Sequence, residues 1–254
     1  MLMTLFAVAG FFCGFLNTLA SSGSAVTLPL LIFLGLSPEM ANGTNRLPVL
    51  VGSMIAIYMF AKSGKIHWPI ALKVVIPSVV GSFLGALLAE TISAKSLGFI
   101  ITIAMLIALV LLFTKTKHAF LKDFSEEPRF RWQEMLLFVV IGFWLGFIVL
   151  DGATYLMLAL ILAVRLPFVQ ATAIKNLAIA SSTCIALIFF ATHGHINWEY
   201  GIVMALGSIA GGAAGAKVAM FPWAKIWTYR ILIFIILIEL VHLVIKLYHN
   251  LSMQ

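Results

Sequence analysis

Ten apolar runs, separated by short polar breaks, cover almost the whole of this 254-residue chain. They fall at about 2–20, 24–36, 40–61, 68–90 and 96–114, then at about 134–151, 153–164, 167–191, 198–220 and 226–248. Runs of about 20 apolar residues match the length of a helix crossing a hydrocarbon core about 30 Å thick. The pattern therefore predicts an all-α polytopic membrane protein. The second run of each set of five is short, and a dozen residues at about 1.5 Å each reach only about 20 Å. With the run before it, each reads as a hairpin that enters partway or as a broken crossing, turning at "NTLASSGS" and "VLDGAT". Such interruptions survive at membrane depth only where they are buried in protein or line a wet cavity.

A fixed offset relates the two sets. Adding 130 carries Gly64, Ile66 and Trp68 of "KSGKIHW" onto Gly194, Ile196 and Trp198 of "THGHINW". It also carries Ser78, Gly81, Gly85 and Ala86 onto Ser208, Gly211, Gly215 and Ala216, and Leu36, Ala41 and Leu47 onto Leu166, Ala171 and Leu177. At the front of each set an offset of 132 matches Gly10 and Gly14 with Gly142 and Gly146, as if the second half had lost two residues. This is an internal duplication. It divides one integral domain, 1–254, into a first repeat at 1–114, a cytoplasmic linker at 115–133 and a second repeat at 134–254. Each repeat carries two Gly-x-x-x-Gly spacings, which let helices approach closely where lipid offers no hydrophobic drive for association.

Five segments per repeat is an odd number, so equivalent loops should lie on opposite faces. The charges agree: Lys62 and Lys65 have a repeat partner around Thr192 and His195 with no Lys or Arg, and Lys217 and Lys225 face a neutral partner with Glu90 and Lys95. Lys62, Lys65, Lys115, Lys117, Lys122, Arg129, Arg131, Lys217 and Lys225 gather on one face, which the positive-inside rule assigns to the cytoplasm. Both termini then point outward. Inverted repeats with short, interrupted segments at corresponding positions point to a secondary transporter with a site near the midplane.

Composition narrows this further. Hydrophobic residues make up 63% of the chain and charged residues 10%, against roughly 45–50% and 25% in a soluble domain, and no stretch is left for a separate soluble domain. The first run lacks a basic leader and a small-residue cleavage site, so it is expected to stay as a helix. The net charge of +7 sits in loops, where it sets orientation and does not call for nucleic acid. Cys13 and Cys184 lie in apolar runs and supply neither metal spacing nor a disulfide framework.

The candidate chemistry lies between Ser21 and Pro48, "SSGSAVTLPLLIFLGLSPEMANGTNRLP". Arg46 follows the polar run Asn42, Thr44 and Asn45, and the 130 offset sets Asn176 opposite Arg46 and Lys175 opposite Asn45. A cation at the centre of a membrane helix costs about 2.5–3.5 kcal/mol on insertion scales, so it usually faces a partner or a pathway. Anion coordination between the repeats is one reading, and snorkelling from near the helix ends is the other. Ser22 and Ser24 of "SSGS" offer hydroxyls at the N-terminus of a short helix suited to an oxyanion, with Asn17 one turn earlier; an ordinary N-cap and turn is the alternative. The second turn carries Asp151, Thr154 and Tyr155 instead. Asp151 serves as a proton carrier or pairs with Lys175 or Arg46.

Other features carry less. The sequon "NGT" at 42–44 lies too deep for glycosylation, and His193 and His195 lack further ligands for a metal. Glu239 and His242 read as a packing pair, and the linker, with both signs of charge around Pro128, as a solvated connection. No His-Glu-x-x-His, Gly-x-Ser-x-Gly or pair of intramembrane aspartate helices supports an intramembrane enzyme. An anion-conducting channel fits the same residues as a carrier does.

"GFLNTLASSGSAVTLPLLIFLGLSPEMANGTNRL", its second copy "LPFVQATAIKNL" and the Gly-x-x-x-Gly segments after Trp68 and Trp198 together resemble the TauE/SafE family of bacterial sulfite and organosulfonate exporters. The resemblance covers nearly the whole chain and implies a multi-pass protein of the bacterial plasma membrane that exports a small sulfur-containing anion with proton coupling. The first turn, "ASSGS", departs from the denser Gly run common in the family, and the second reads "LDGAT". The expected anion site combines Arg46 and Lys175 for charge with Asn45, Asn176, Thr44, Ser22, Ser24 and Asn17 for hydrogen bonds, and Asp151 for protons. No cofactor is expected. Expected partners are the anion, protons and the lipid bilayer, with a homo-oligomer compatible with the sequence.

Overall fold

A computed structural model describes residues 2–20, 23–89, 128–147 and 152–234, together with positions 237 and 241. The expected segment 96–114, most of the linker, Ser21, Ser22, Asp151, Glu239 and His242 lie outside these residues. The described chain is helical, with no strand among the described residues. Its helices are α1 (Leu2–Ala20), α2 (Ser24–Phe33), α3 (Pro38–Lys62), α4 (Trp68–Ala89), α5 (Trp132–Phe147), α6 (Gly152–Leu162), α7 (Phe168–Thr192) and α8 (Trp198–Ala219). A ninth, α9, covers 224–234. Helices α1, α3, α4, α7 and α8 are long and apolar enough to cross a membrane. At 10 and 11 residues, α2 and α6 reach only about 15 Å at ~1.5 Å per residue, half of a hydrocarbon core.

Local sequence sets the boundaries. Ser37 caps α3 by accepting from the Met40 N–H at 3.3 Å, with Pro38 at the first helical position, and Asn197 caps α8 through the Tyr200 N–H at 3.1 Å. Helix α3 stops at Gly64 (φ +64°), which lets the Lys65 N–H reach back to the Phe60 carbonyl. Helix α7 stops in the same way at Gly194 (φ +74°), with His195 bonding to Phe190. All three pairs, Phe60 and Phe190, Gly64 and Gly194, and Lys65 and His195, correspond under the 130 offset. The same holds after the short helices, where left-handed Gly35 (φ +93°) corresponds to Arg165 (φ +62°), a non-glycine residue held in the same conformation.

Helix packing also exchanges the two halves of the chain. Helix α1 packs along α8 and α4 along α5; α3 meets α8 and α4 meets α7; and α3 and α7 cross at the centre. Glycines set the two closest contacts. A methyl added at Gly10 would overlap the Met204 carbonyl, at Gly207 that of Ala7 and at Gly211 that of Phe11. On the other side Gly81 faces the Val139 carbonyl, Gly85 that of Phe143, Gly142 that of Ser78 and Gly146 that of Ser82. These contacts correct the alignment of the first helices. Gly81 and Gly211 correspond at 130, but their neighbours Val139 and Phe11 are related by 128, so Gly14 corresponds to Gly142. The offset of 132 is therefore one helical turn out, and the second half has two more residues after its first helix, not two fewer.

Trp68, Trp132 and Trp198 each open a helix and are half-exposed or more, at 52%, 67% and 50%. That is the placement of an interfacial aromatic belt. Gly146→Ala sets a methyl against the Ser82 backbone, which cannot rotate away. Overpacking of this kind costs about 1–3 kcal/mol. The variant should melt at a lower temperature in detergent, whereas Val140→Ala on the same helix, at a site 65% exposed, should shift the melt little.

Candidate functional site

Helices α1 and α5 both have their last described turns inside the helical bundle, where carbonyl groups gather at a helix end. Two cations reach those turns. Lys175, on α7 and fully buried, donates from Nζ to the carbonyls of Asn17 at 2.8 Å and Thr18 at 2.9 Å, in the last turn of α1. Arg46, on α3 and fully buried, donates from Nη1 to the Leu145 carbonyl and from Nη2 to the Gly146 carbonyl, both at 2.9 Å, in the last turn of α5. The two carbonyl pairs correspond at the 128 offset. Each cation therefore caps the interrupted first helix of the opposite half, where the helix dipole places partial negative charge. Neither snorkels. The Arg46 guanidinium also lies over the Phe190 ring, 5.0 Å from its centroid.

The remaining expected site residues divide into two groups. Asn45 is fully buried and joins the hairpin of α1 and α2: its Oδ1 accepts from Thr27 Oγ1, and its Nδ2 donates to Ser24 Oγ at 2.9 Å. Cys13 Sγ lies 4.0 Å from the same Oδ1 and accepts from Thr27 Oγ1 at 3.8 Å. Asn17 donates from Nδ2 to Ser53 Oγ at 3.2 Å. Asn176 donates to its own helix at the Thr172 carbonyl, 2.8 Å, and reaches the Thr18 carbonyl at 3.5 Å beside Lys175. Asn17, Asn45, Ser24, Lys175 and Asn176 thus gather around the end of α1. Thr44 does not join them. Its Oγ1 accepts from the Asn197 N–H at 2.9 Å, at the start of α8, because two residues along a helix turn a side chain by about 200° from Arg46. Ser22 and Asp151 lie outside the described residues.

Thr27, Ser53 and Phe190 complete the site and are not among the residues that stand out in the sequence. Thr27 and Ser53 each lie a turn or two from a selected residue, a signal present in the sequence but shared with many buried hydroxyls. Phe190 has no such signal.

The charge balance is unusual. Arg46 and Lys175 are the only buried charged residues among the described residues, and no Asp or Glu is buried there. Carbonyl dipoles hold both cations in the contacts given above, inside an apolar bundle. Several polar atoms nearby have no hydrogen-bond partner among the described residues: Arg46 Nε, Asn176 Oδ1 and Thr18 Oγ1. A buried polar group left unpaired costs roughly 1–3 kcal/mol. Arg46 and Asn176 correspond at the 130 offset, so the two halves present an unused donor and an unused acceptor at equivalent places. Such a site can attract an anion and offer it donors without breaking every existing bond.

Comparison with known proteins agrees with this architecture. A probable membrane transporter protein, ORF9, of Sinorhizobium sp is 30% identical over 226 residues, covering 89% of this chain and 86% of the relative. A probable membrane transporter protein of Haemophilus influenzae is 30% identical over 229 residues, covering 87% and 86%. The probable membrane transporter protein YfcA of Escherichia coli is 29% identical over 231 residues, covering 89% and 83%. No solved structure matches the chain. The family profile described as sulfite exporter TauE/SafE matches residues 6–242, nearly the whole helical bundle and both cation clamps, so this multi-pass membrane protein belongs to the TauE/SafE family of membrane transporters.

Proposed function

We propose that the protein is a secondary transporter that exports a small sulfur-containing anion, sulfite or a short organosulfonate, by alternating access around a site between the two halves. The observation that carries this reading is the pair of fully buried cations, Arg46 and Lys175, with no buried carboxylate among the described residues. Two cations buried in one apolar bundle are costly to hold together, and an anion entering from water between them offsets that cost. An oxyanion accepts charge-assisted hydrogen bonds that are about twice as strong as those to a neutral carbonyl, so it competes well for the same N–H groups. The exchange-related packing of α1 with α8 and of α4 with α5 supports two inverted repeats that rock against each other, the arrangement in which short and broken helices frame a midplane site.

In this reading Arg46 and Lys175 supply charge, and Asn17, Asn45, Asn176 and Ser24 line the approach with Ser22 of the adjoining turn. Thr44 anchors the start of α8 and shapes the site from behind. Asp151, in the second turn, is the carboxylate nearest in sequence to the α5 terminus and a candidate partner of the moving charges. The protein lies in the bacterial inner membrane with both termini outside, as the loop lysines favour.

Binding to purified protein tests the anion. A ligand at a hundredfold excess over its Kd stabilises by about 2.7 kcal/mol, so one of sulfite, taurine, isethionate, sulfoacetate and thiosulfate should raise the melting temperature, with sulfate as comparison. Arg46→Gln and Lys175→Gln should each weaken that ligand at least about tenfold, because a charged hydrogen bond contributes roughly 1.5–3 kcal/mol. Full transport by both variants, correctly folded in membranes, would sink the proposal.

A further inference from the structure

Asn45 and Asn176 are both fully buried, and the fold treats their amides differently. Asn45 has both ends paired, Oδ1 with Thr27 Oγ1 and Nδ2 with Ser24 Oγ. Asn176 has one end paired. Its Nδ2 donates to the Thr172 carbonyl at 2.8 Å and reaches the Thr18 carbonyl at 3.5 Å, while its Oδ1 has no partner among the described residues. We infer that Asn176 Oδ1 reads a hydrogen-bond donor on the transported anion, so that the ligand is an oxyanion carrying its own O–H or N–H, such as a hydroxyalkanesulfonate. This rests on the anion-carrier reading above and narrows its substrate class.

The amide cannot be turned round. Both atoms that face Nδ2 are carbonyl oxygens, which only accept, so exchanging the amide nitrogen and oxygen would set oxygen against oxygen. Oδ1 is therefore an acceptor, and whatever completes it must donate. The same end of α1 holds a second unpaired oxygen, Thr18 Oγ1, on a fully buried residue, and the two unpaired atoms do not bond to each other. A cation stands close by, because Lys175 Nζ bonds the same Thr18 carbonyl at 2.9 Å. The ammonium and the amide meet at one oxygen, so a two-carbon ligand spans them. A metal ion would also complete Oδ1, but it would sit beside two buried cations with no buried carboxylate among the described residues.

Water fills the acceptor's need while the site is open, and selectivity arises when the anion displaces it. A ligand with a donor replaces the lost hydrogen bond. One without a donor strands a buried acceptor, and a site built to bond a hydroxyl rejects the analogue that lacks it. The two halves divide this work. At the 130 offset the counterpart of Asn176 is Arg46, which only donates and whose Nε is unpaired. One half thus recognises the oxyanion and the other the donor attached to it.

The test compares isethionate with ethanesulfonate on purified full-length protein, since the two carry equal charge and differ by one hydroxyl. Each Kd is read from thermal stabilisation against ligand concentration. Wild-type protein is expected to bind isethionate at least about tenfold more tightly, the factor a stranded acceptor imposes. Asn176→Leu, close in shape and without the acceptor, should bring the two Kd values within about threefold of each other, whatever it does to either one. Asn176→Ala takes its place if the leucine form does not fold. Ser82→Ala removes a 2.9 Å bond from α4 to the Ser182 carbonyl of α7, outside the site, and should keep the wild-type ratio. Similar wild-type Kd values, a preference that survives at Asn176→Leu or Asn176→Ala, or a ratio lost equally in Ser82→Ala overturns the inference. A folded Asn176 variant that binds neither sulfonate, or wild type that binds sulfite and neither sulfonate, also overturns it. All of these leave the anion carrier standing, whereas no binding of any of the three anions by wild type overturns both.

Discussion

A helix that stops inside a membrane protein leaves bare carbonyls where no water can reach them, and the rest of this structure is arranged around that constraint. Each unsatisfied backbone group in hydrocarbon costs several kcal/mol, roughly the margin that holds a domain together. Here α1 and α5 both stop short, and the answer in each case is a buried cation from the central helix of the opposite half. The cations thereby tie α3 and α7 to the broken helices. Asn45, Ser24 and Thr27 then fix the first hairpin against α3, so a network of polar contacts ties the broken helices to the two central ones.

That network explains how structural and functional roles share the same residues. A dipole satisfies hydrogen bonds without cancelling charge, so the caps hold the helices and do not themselves neutralise the cations. A carboxylate in the same place would give a tighter bundle with less reason to admit an anion. Close glycine contacts complete the design. They bring α1 against α8 and α4 against α5 with no bulky side chains between, which suits surfaces that hold a fixed register.

Part of this was legible in the chain. The helical class, the short second runs and the placement of Arg46 and Lys175 within the bundle, away from lipid, follow from run lengths and from the cost of charge in lipid. The partners of those cations were not legible, because backbone carbonyls carry no sequence label and any residue could have supplied them. The one-turn error in aligning the first helices has a similar origin. A Gly-x-x-x-Gly pair overlaps itself when shifted by four residues, so identity favours matching both glycines, whereas packing matches Gly14 with Gly142 alone. Thr44 was grouped with Arg46 by proximity in sequence, which ignores that residues two apart on a helix face nearly opposite ways. Arg165 shows the reverse case: its left-handed backbone is invisible as a residue type and becomes readable only through its counterpart, Gly35.

The crossed caps also bear on how the protein is made. Helix α1 enters the membrane during synthesis long before Lys175 has been translated, and α5 is the helix that Arg46 awaits. Until α7 arrives, the end of α1 needs a temporary guest, either water in a thinned bilayer or the insertion machinery itself. Each half supplies the buried cation that the other's broken helix receives. A chain cut between the halves should therefore assemble only when both pieces are produced in the same membrane, each serving as the other's last step of folding.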